Sequence, residues 1–447
     1  RIAASGGAAV ESSRAGSVVF FMLCAVLVFA PVAFGAVDFW ALGILALAAL
    51  IIAFAWLFET WKTGRFRFSS NRLQLPLMGL ILIGLIQLLP LGSANVAADG
   101  MLSVPAARSL SLDPYATRLA IVQLSVYLVF FAAALTFINS QRRLQKMVLL
   151  VIVVASLLAF TGILLRLANP TEVLGVRASP HAMPFGPFIN QHHFAAFMEL
   201  AVGLTLGLLY NQSTRGDKRY LMIIAVVIMG TALIFTSSRG GMLSLLGVIN
   251  EARAAGAEQK SFFQSKFAVI GGGLALVLVL FGSILLLGGE QSLTRGIGLQ
   301  ATDDVSSGRT HFWSVALQII RDHPILGAGL DAFGVAFTRY DTWNGTFRVE
   351  QAHNDYLQIF ADAGVVGFIC AVAFIYFLFQ KGLRAVGQTS DRYRRGVAVG
   401  ALAGCFGILL HSFFDFPLRT PSNAFYFLTL AALATISAHI PKQQKNQ

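Results

Sequence analysis

The sequence predicts an all-α polytopic membrane protein, one domain over 1–447, with about 12 transmembrane helices. Of its residues 56% are hydrophobic and only 12% are charged, roughly half the charge share of a soluble domain. Apolar stretches of about 20 residues, the length that crosses a bilayer as a helix, recur from end to end. They are continuous rather than alternating, which excludes a β-barrel. The basic residues lie in short clusters between these stretches, as membrane topology requires.

The expected spans are roughly 18–37, 39–58, 73–92, 119–138, 147–168, 192–210, 220–237, 240–252, 267–288, 364–380, 397–415 and 423–440. The first is too long for a signal-peptide core and reads as a span. The eighth is short for a full crossing. With the N-terminus, 59–72, 139–146, 211–219, 251–266, 381–396 and the C-terminal tail inside, those segments hold 22 of the 33 basic residues and all eight lysines. The other 11 basic residues are all arginine. Both termini are therefore expected to be cytoplasmic, and the net charge of +12 reflects topology rather than a nucleic-acid surface. Cys24, Cys370 and Cys405 lie in apolar segments without metal-ligand spacing and read as packing residues.

Three outer segments are long enough to hold structure: 93–118, 169–191 and 289–363. In the third, Trp313, Ala316, Leu317 and Ile320 recur at helical spacing, Ser307 is a candidate cap, and Pro324 ends the run. This predicts an amphipathic helix over 311–321. A second short helix is expected from His353 to Ala363, closed by Gly364.

The outer face is where chemistry concentrates. Arg118, Arg166 and Arg419 fit the plain role of span-end arginines that reach toward headgroups. Arg239 fits it less well, because Ser-Ser-Arg-Gly-Gly (237–241) joins two spans with glycines that allow a backbone or ligand to come close. Guanidinium binds phosphate in a bidentate way and stays charged in low dielectric. Arg309 opens the amphipathic helix, where free N–H groups favour an anion; its alternative is a surface ion pair with Asp303 or Asp304. His353, in Ala-His-Asn-Asp-Tyr-Leu-Gln (352–358), stands at the mouth of a span, where a neutral imidazole can accept a proton. Asp355 is the carboxylate close in sequence to orient it, although i and i+2 on a helix face apart. His353 with Asp355, or His411 with Asp415, are candidate metal ligands, but no HExxH, DxD or Cys pair accompanies them, so neither metal nor cofactor is expected. Glu199, Asp362 and Asp415 lie in or beside spans, where a carboxylate serves either a proton relay or, more plainly, interhelical hydrogen bonding in neutral form.

Ser-Ser-Arg-Gly-Gly (237–241), Gly-Arg-Thr-His-Phe-Trp (308–313), Asp-His-Pro-Ile-Leu-Gly-Ala-Gly (322–329), Ala-His-Asn-Asp-Tyr-Leu-Gln (352–358) and Asp-Phe-Pro-Leu-Arg (415–419) together resemble the O-antigen ligase/polymerase superfamily. The likeness covers about 190–420, and the segment ending Asn190-Gln-His-His-Phe resembles members too. It implies a GT-C-like glycosyltransferase of the bacterial inner membrane, metal-independent and inverting, with 289–363 as a periplasmic loop. The donor would be a glycan on undecaprenyl pyrophosphate, and the acceptor lipid A-core, a growing polymer or, less in keeping with this chain, a protein. By motif, Arg239 and Arg309 would hold the pyrophosphate and His353 would serve the acceptor hydroxyl. Asn354, Asp355, Tyr356, Asn190, His192, His193 and Arg177 are further candidates for pyrophosphate or glycan contact. For His192 and His193 the alternative is to face the interface or cap a span. A transporter of lipid-linked glycan is the rival from another class. It would favour mid-membrane ionisable sites and an internal repeat, neither of which is evident. Gly327 and Gly329 are expected to let the amphipathic helix move over the site.

Overall fold

The computed structural model describes residues 14–92, 108–168, 171–179, 182–213, 216–256, 308–343 and 349–437. In chain order its helices are α1 (Arg14–Val32), α2 (Phe39–Thr63), α3 (Gln74–Gln87), α4 (Pro114–Phe137), α5 (Gln141–Ala168), α6 (Gln191–Tyr210), α7 (Asp217–Phe235), α8 (Arg239–Gly256), α9 (Arg309–Asp322), α10 (Phe333–Tyr340), α11 (Asp355–Gln388), α12 (Arg392–His411) and α13 (Pro421–Ile436). A two-stranded ribbon, Glu172–Val173 with Arg177–Ala178, lies between α5 and α6. Asp113, Asn190, Asn354 and Asp391 start α4, α6, α11 and α12 by accepting backbone N–H groups that have no partner within the helix.

Among the described residues eight helices are long and apolar enough to cross a membrane, while α3 and α13 are apolar but shorter. Eleven of the expected spans fall on helices. The ninth, 267–288, lies outside the described residues, as do Ser307, Asp303 and Asp304. The eleventh span begins and ends earlier than expected, over Arg392–His411. Its helix stops at His411, so Asp415 stands in a turn at the bundle's end rather than inside it. Pro417 explains part of this, because it disfavours helical backbone at Phe416.

Two helices form the centre. The apolar windows of α6 and α12 are 89% and 78% buried, against 28–44% for the other six candidate spans. Their crossing is tight because small residues meet: a Cβ on Gly207 would lie 2.2 Å from the Gly400 nitrogen. α13 is buried along its whole length. The outer helices expose large apolar side chains such as Phe54, Phe160, Leu221 and Ile369. That is the pattern of a lipid-facing bundle.

Beyond one end of the bundle, α9 and α10 build a small core of their own from Val315, Ala316, Ile319, Phe333, Ala336 and Phe337. This corrects the expected stripe on α9. Leu317 is 57% exposed, and Val315 and Ile319 face inward instead, because α9 packs on α10 and α11. The second helix starts at Asp355 rather than His353, and Gly364 breaks it at φ 62° before it continues as a span. Gly327 and Gly364 interlock: a Cβ on Gly327 would meet the Asp362 carbonyl carbon at 2.3 Å, and one on Gly364 the Ile325 oxygen at 2.2 Å. The Ala328 N–H donates to Ala361 O (2.8 Å), and Gln87 Nε2 donates to the Leu326 and Asp362 carbonyls. The 327–329 turn is thus pinned to α11, which is the reverse of the hinge expected there.

Candidate functional site

The site is organised by the turn between α12 and α13. Asp415 in that turn is 1% exposed, yet its carboxylate is aimed at cations. Oδ1 receives His353 Nδ1 at 3.0 Å and the Phe416 N–H at 2.9 Å. Oδ2 lies 4.0 Å from Arg309 Nη2. Burial alone raises the Asp415 carboxyl. The hydrogen bond from His353 and the imidazoles of His193 and His192 outweigh that, and the group is held well below the usual carboxylate range. An ionised Asp415 makes Nδ1 of His353 the donor, so in the neutral imidazole the lone pair is on Nε2. Asp415, not Asp355, therefore orients the histidine, and it does so as a charge rather than as the neutral interhelical group expected.

His353 sits in left-handed backbone (φ 51°), a conformation uncommon outside glycine that costs free energy and so needs support. The three residues after it provide that support. Asn354 Oδ1 accepts the Tyr356 and Leu357 N–H groups, while its Nδ2 donates to Phe413 O at 3.1 Å. Asp355 Oδ2 accepts from Ser412 Oγ (2.8 Å) and the Leu418 N–H. Tyr356 OH donates to Leu409 O at 2.7 Å. All three candidates for substrate contact thus bond to the 409–418 chain and dock His353 onto it. The imidazole, 32% exposed, lies between Phe312 (5.7 Å, stacked) and Phe416 (4.8 Å, edge-on).

Arg309 is the first residue of α9 and 30% exposed. At 4.0 Å it feels Asp415 without hydrogen-bonding it, and among the described residues no carboxylate lies closer to its guanidinium. Arg239, first residue of α8, is exposed, and no carboxylate pairs with it among the described residues. The residue before it, Ser238, caps α8 by accepting the Gly241 N–H at 3.1 Å. Ser238 Oγ is also 3.5 Å from His411 Nε2, whose Nδ1 is 2.8 Å from Glu199 Oε1. A buried chain from α6 through α12 therefore fixes the start of α8. A Cβ on Gly240 would meet His411 and Phe414 at 3.1 Å, so Arg239 stands beside the same turn that carries Asp415.

The remaining candidates divide. His192 is close enough to Asp415, His411, Arg309 and His353 for all four to act on its imidazole electrostatically, so it belongs to the centre. Asn190 caps α6, accepting the His192 N–H at 2.8 Å. His193 is buried, with Nδ1 2.7 Å from Thr420 Oγ1 and its ring edge-on to Phe416, and it braces the turn from behind. Arg177 is elsewhere: it grips Asp38 in a two-pronged bond (2.6 and 3.2 Å) over the Phe34 ring, tying the ribbon to the α1–α2 connection. Arg419, expected to reach for headgroups, is instead paired with Asp331 at 2.7 Å and with Asp362, which accounts for that buried carboxylate.

On the other side of the turn is a cavity of about 610 Å³, largely apolar, lined by Leu77, Leu124, Phe374 and Phe427 and walled by Ser412 and Arg419. His353, Arg309 and Arg239 do not line it. The turn thus divides a charged centre from an apolar chamber.

Residues 224–372 match a family model described as O-antigen ligase. That stretch includes Arg239, Arg309 and His353 but ends before Asp415. A curated relative, the O-antigen ligase of Pseudomonas aeruginosa, is 28% identical over 260 residues, which are 57% of this chain and 55% of the relative. The alignment thus spans about half of each protein. Both matches are to O-antigen ligases, and over these stretches the chain is similar to that family.

Proposed function

We propose that this chain passes a glycan from undecaprenyl pyrophosphate to a sugar hydroxyl at the periplasmic face of the bacterial inner membrane, as an O-antigen ligase does with lipid A-core as acceptor. One observation carries the reading: His353 and Arg309, from segments 44 positions apart, converge on the buried carboxylate of Asp415 at 3.0 and 4.0 Å. That arrangement sets a base beside an anion-binding group.

The roles follow from the geometry. His353 Nε2 takes the proton of the acceptor hydroxyl while Asp415 steadies the imidazolium that forms. The hydroxyl oxygen attacks the anomeric carbon as the glycosidic C–O bond to pyrophosphate breaks, and this single displacement inverts the carbon. Charge grows on the pyrophosphate, and Arg309 and Arg239 stabilise it with fixed guanidinium groups. The buried Glu199–His411–Ser238 chain holds the second arginine in place. A transporter is less well served by this architecture, because Arg239, Arg309 and His353 stand at helix starts at one end of the bundle rather than along a path through it.

The test is transfer by the purified protein from a lipid-linked pyrophosphate donor, with lipid A-core and a polymer terminus competing as acceptors, in the presence of EDTA. His353→Ala is expected to lose at least a hundredfold in rate, the scale of a missing general base at roughly 10²–10⁴. Arg309→Lys should lose roughly a hundredfold, because one ammonium cannot replace a two-pronged donor. Wild-type rates in either variant remove that residue from the mechanism. EDTA sensitivity would overturn the metal-free chemistry, and preference for the polymer terminus would make the chain a polymerase.

A further inference from the structure

Trp343 is 47% exposed in the extramembrane region, next to the charged centre. One face of its indole is covered by His311, whose ring stacks on it at 4.2 Å and 9°. The exposed area therefore falls on the opposite face and its edge. Asp341 anchors both residues: Oδ1 is 2.8 Å from His311 Nε2 and accepts the backbone N–H of Trp343 at 3.0 Å. Gly308 is part of the same assembly. It has φ 82°, and a Cβ there would come within 3.0 Å of Trp343 and 3.1 Å of Phe312. The aromatic surface continues to the candidate base, because Phe312 lies 5.7 Å from Trp343 and 5.7 Å from His353.

We infer that the outward face of Trp343 is a glycan subsite, a platform for a pyranose ring one or two sugars from the bond being formed. The inference rests on the transferase reading and names part of its substrate contact. A pyranose has an apolar C–H face and a hydroxyl edge. An indole held rigid beside a carboxylate matches both, and a rigid aromatic loses little freedom on binding. Distance agrees as well, since two aromatic steps from His353 correspond to the span of a short saccharide. The rival role for an exposed tryptophan is an anchor at the membrane interface. The His311 stack, the Asp341 clamp and the direct path to His353 favour the saccharide.

The decisive measurement uses the full chain in lipid nanodiscs. In one arm the donor carries one, two or three sugars against a fixed acceptor; in the other the acceptor length varies against a fixed donor. Trp343→Ala should raise KM about tenfold for the longer glycan in one arm, with a smaller rise for the single sugar and a lesser effect on kcat; tenfold corresponds to about 1.4 kcal/mol. Trp343→Phe should recover most of the loss. The arm that responds says whether donor or acceptor uses the platform. Effects equal at every length, or none, overturn the subsite and leave the interface anchor. A second readout is independent of transfer. Titrating free oligosaccharide should give a saturable change in tryptophan fluorescence that Trp343→Phe abolishes, and no change in wild type also overturns the subsite. A protein that binds saccharide through Trp343 but transfers nothing would instead refute the transferase reading.

Discussion

Asp415 accepts from His353 and faces Arg309 while almost wholly out of water. Its carboxyl is held below the ordinary range, so the stabilisation it contributes is fully present above the unfolded value of about 3.9 and is lost only as pH falls through the lower folded value. Asp415→Asn should therefore be less stable than wild type by about 2 kcal/mol at neutral pH, the worth of a hydrogen bond to a charged group. The gap should hold from pH 7 to roughly 4 and close only at stronger acid; a gap that closes near pH 6 would mean another group is responsible. His353 and Arg309 could be singled out in the sequence because each sits in a short polar motif at a span end. The carboxylate they share could not. Asp415 is 62 positions from His353, and the apolar run around it extended the expected span over it. Asp355 was the local choice, but its carboxylate is turned toward Ser412 and Leu418. Arg177 was misplaced for the same reason, since its partner Asp38 is 139 positions away.

At the scale of elements, the start of α8 is fixed from behind by buried polar groups. Its cap is Ser238, and behind the cap stand His411 and Glu199, buried between α6 and α12. Ser238→Ala should cost about 1 kcal/mol of stability, as cap losses do. It should also raise the donor KM more than it lowers kcat, because Arg239 would no longer be held at its post. An unchanged KM with the same loss of stability would reduce Ser238 to a structural cap. The existence of the helices was readable from hydropathy, and α9 from its period, but the inward face of α9 was not. Period fixes a stripe only to within a residue, and contact with α10 and α11 decided it. Gly327 misled differently. Glycine signals either freedom or close approach, and the sequence does not say which; the backbone of Asp362, 2.3 Å from the site of its absent Cβ, shows the second.

At the scale of the whole molecule, α6 and α12, the two most buried of the eight long apolar helices, carry the polar chain from Glu199 to the Asp415 turn, and the outer helices shield them. The topology read from lysine and arginine makes a direct prediction. In a background without Cys24, Cys370 and Cys405, Arg321→Cys on α9 should react with an impermeant maleimide applied from the periplasmic side, and Arg384→Cys on α11 only after lysis; the opposite labelling would invert the orientation. The single carboxylate between His353 and Arg309 has one more consequence. The positive charge of Arg309 opposes a second positive charge on His353, so an anion held by the arginine and a positive charge on the imidazole favour one another. By thermodynamic reciprocity, a proton on His353 must tighten the hold on that anion. Deprotonation of an acceptor and the growth of charge on a departing phosphate would then drive one another, linked through the few ångströms that Asp415 spans.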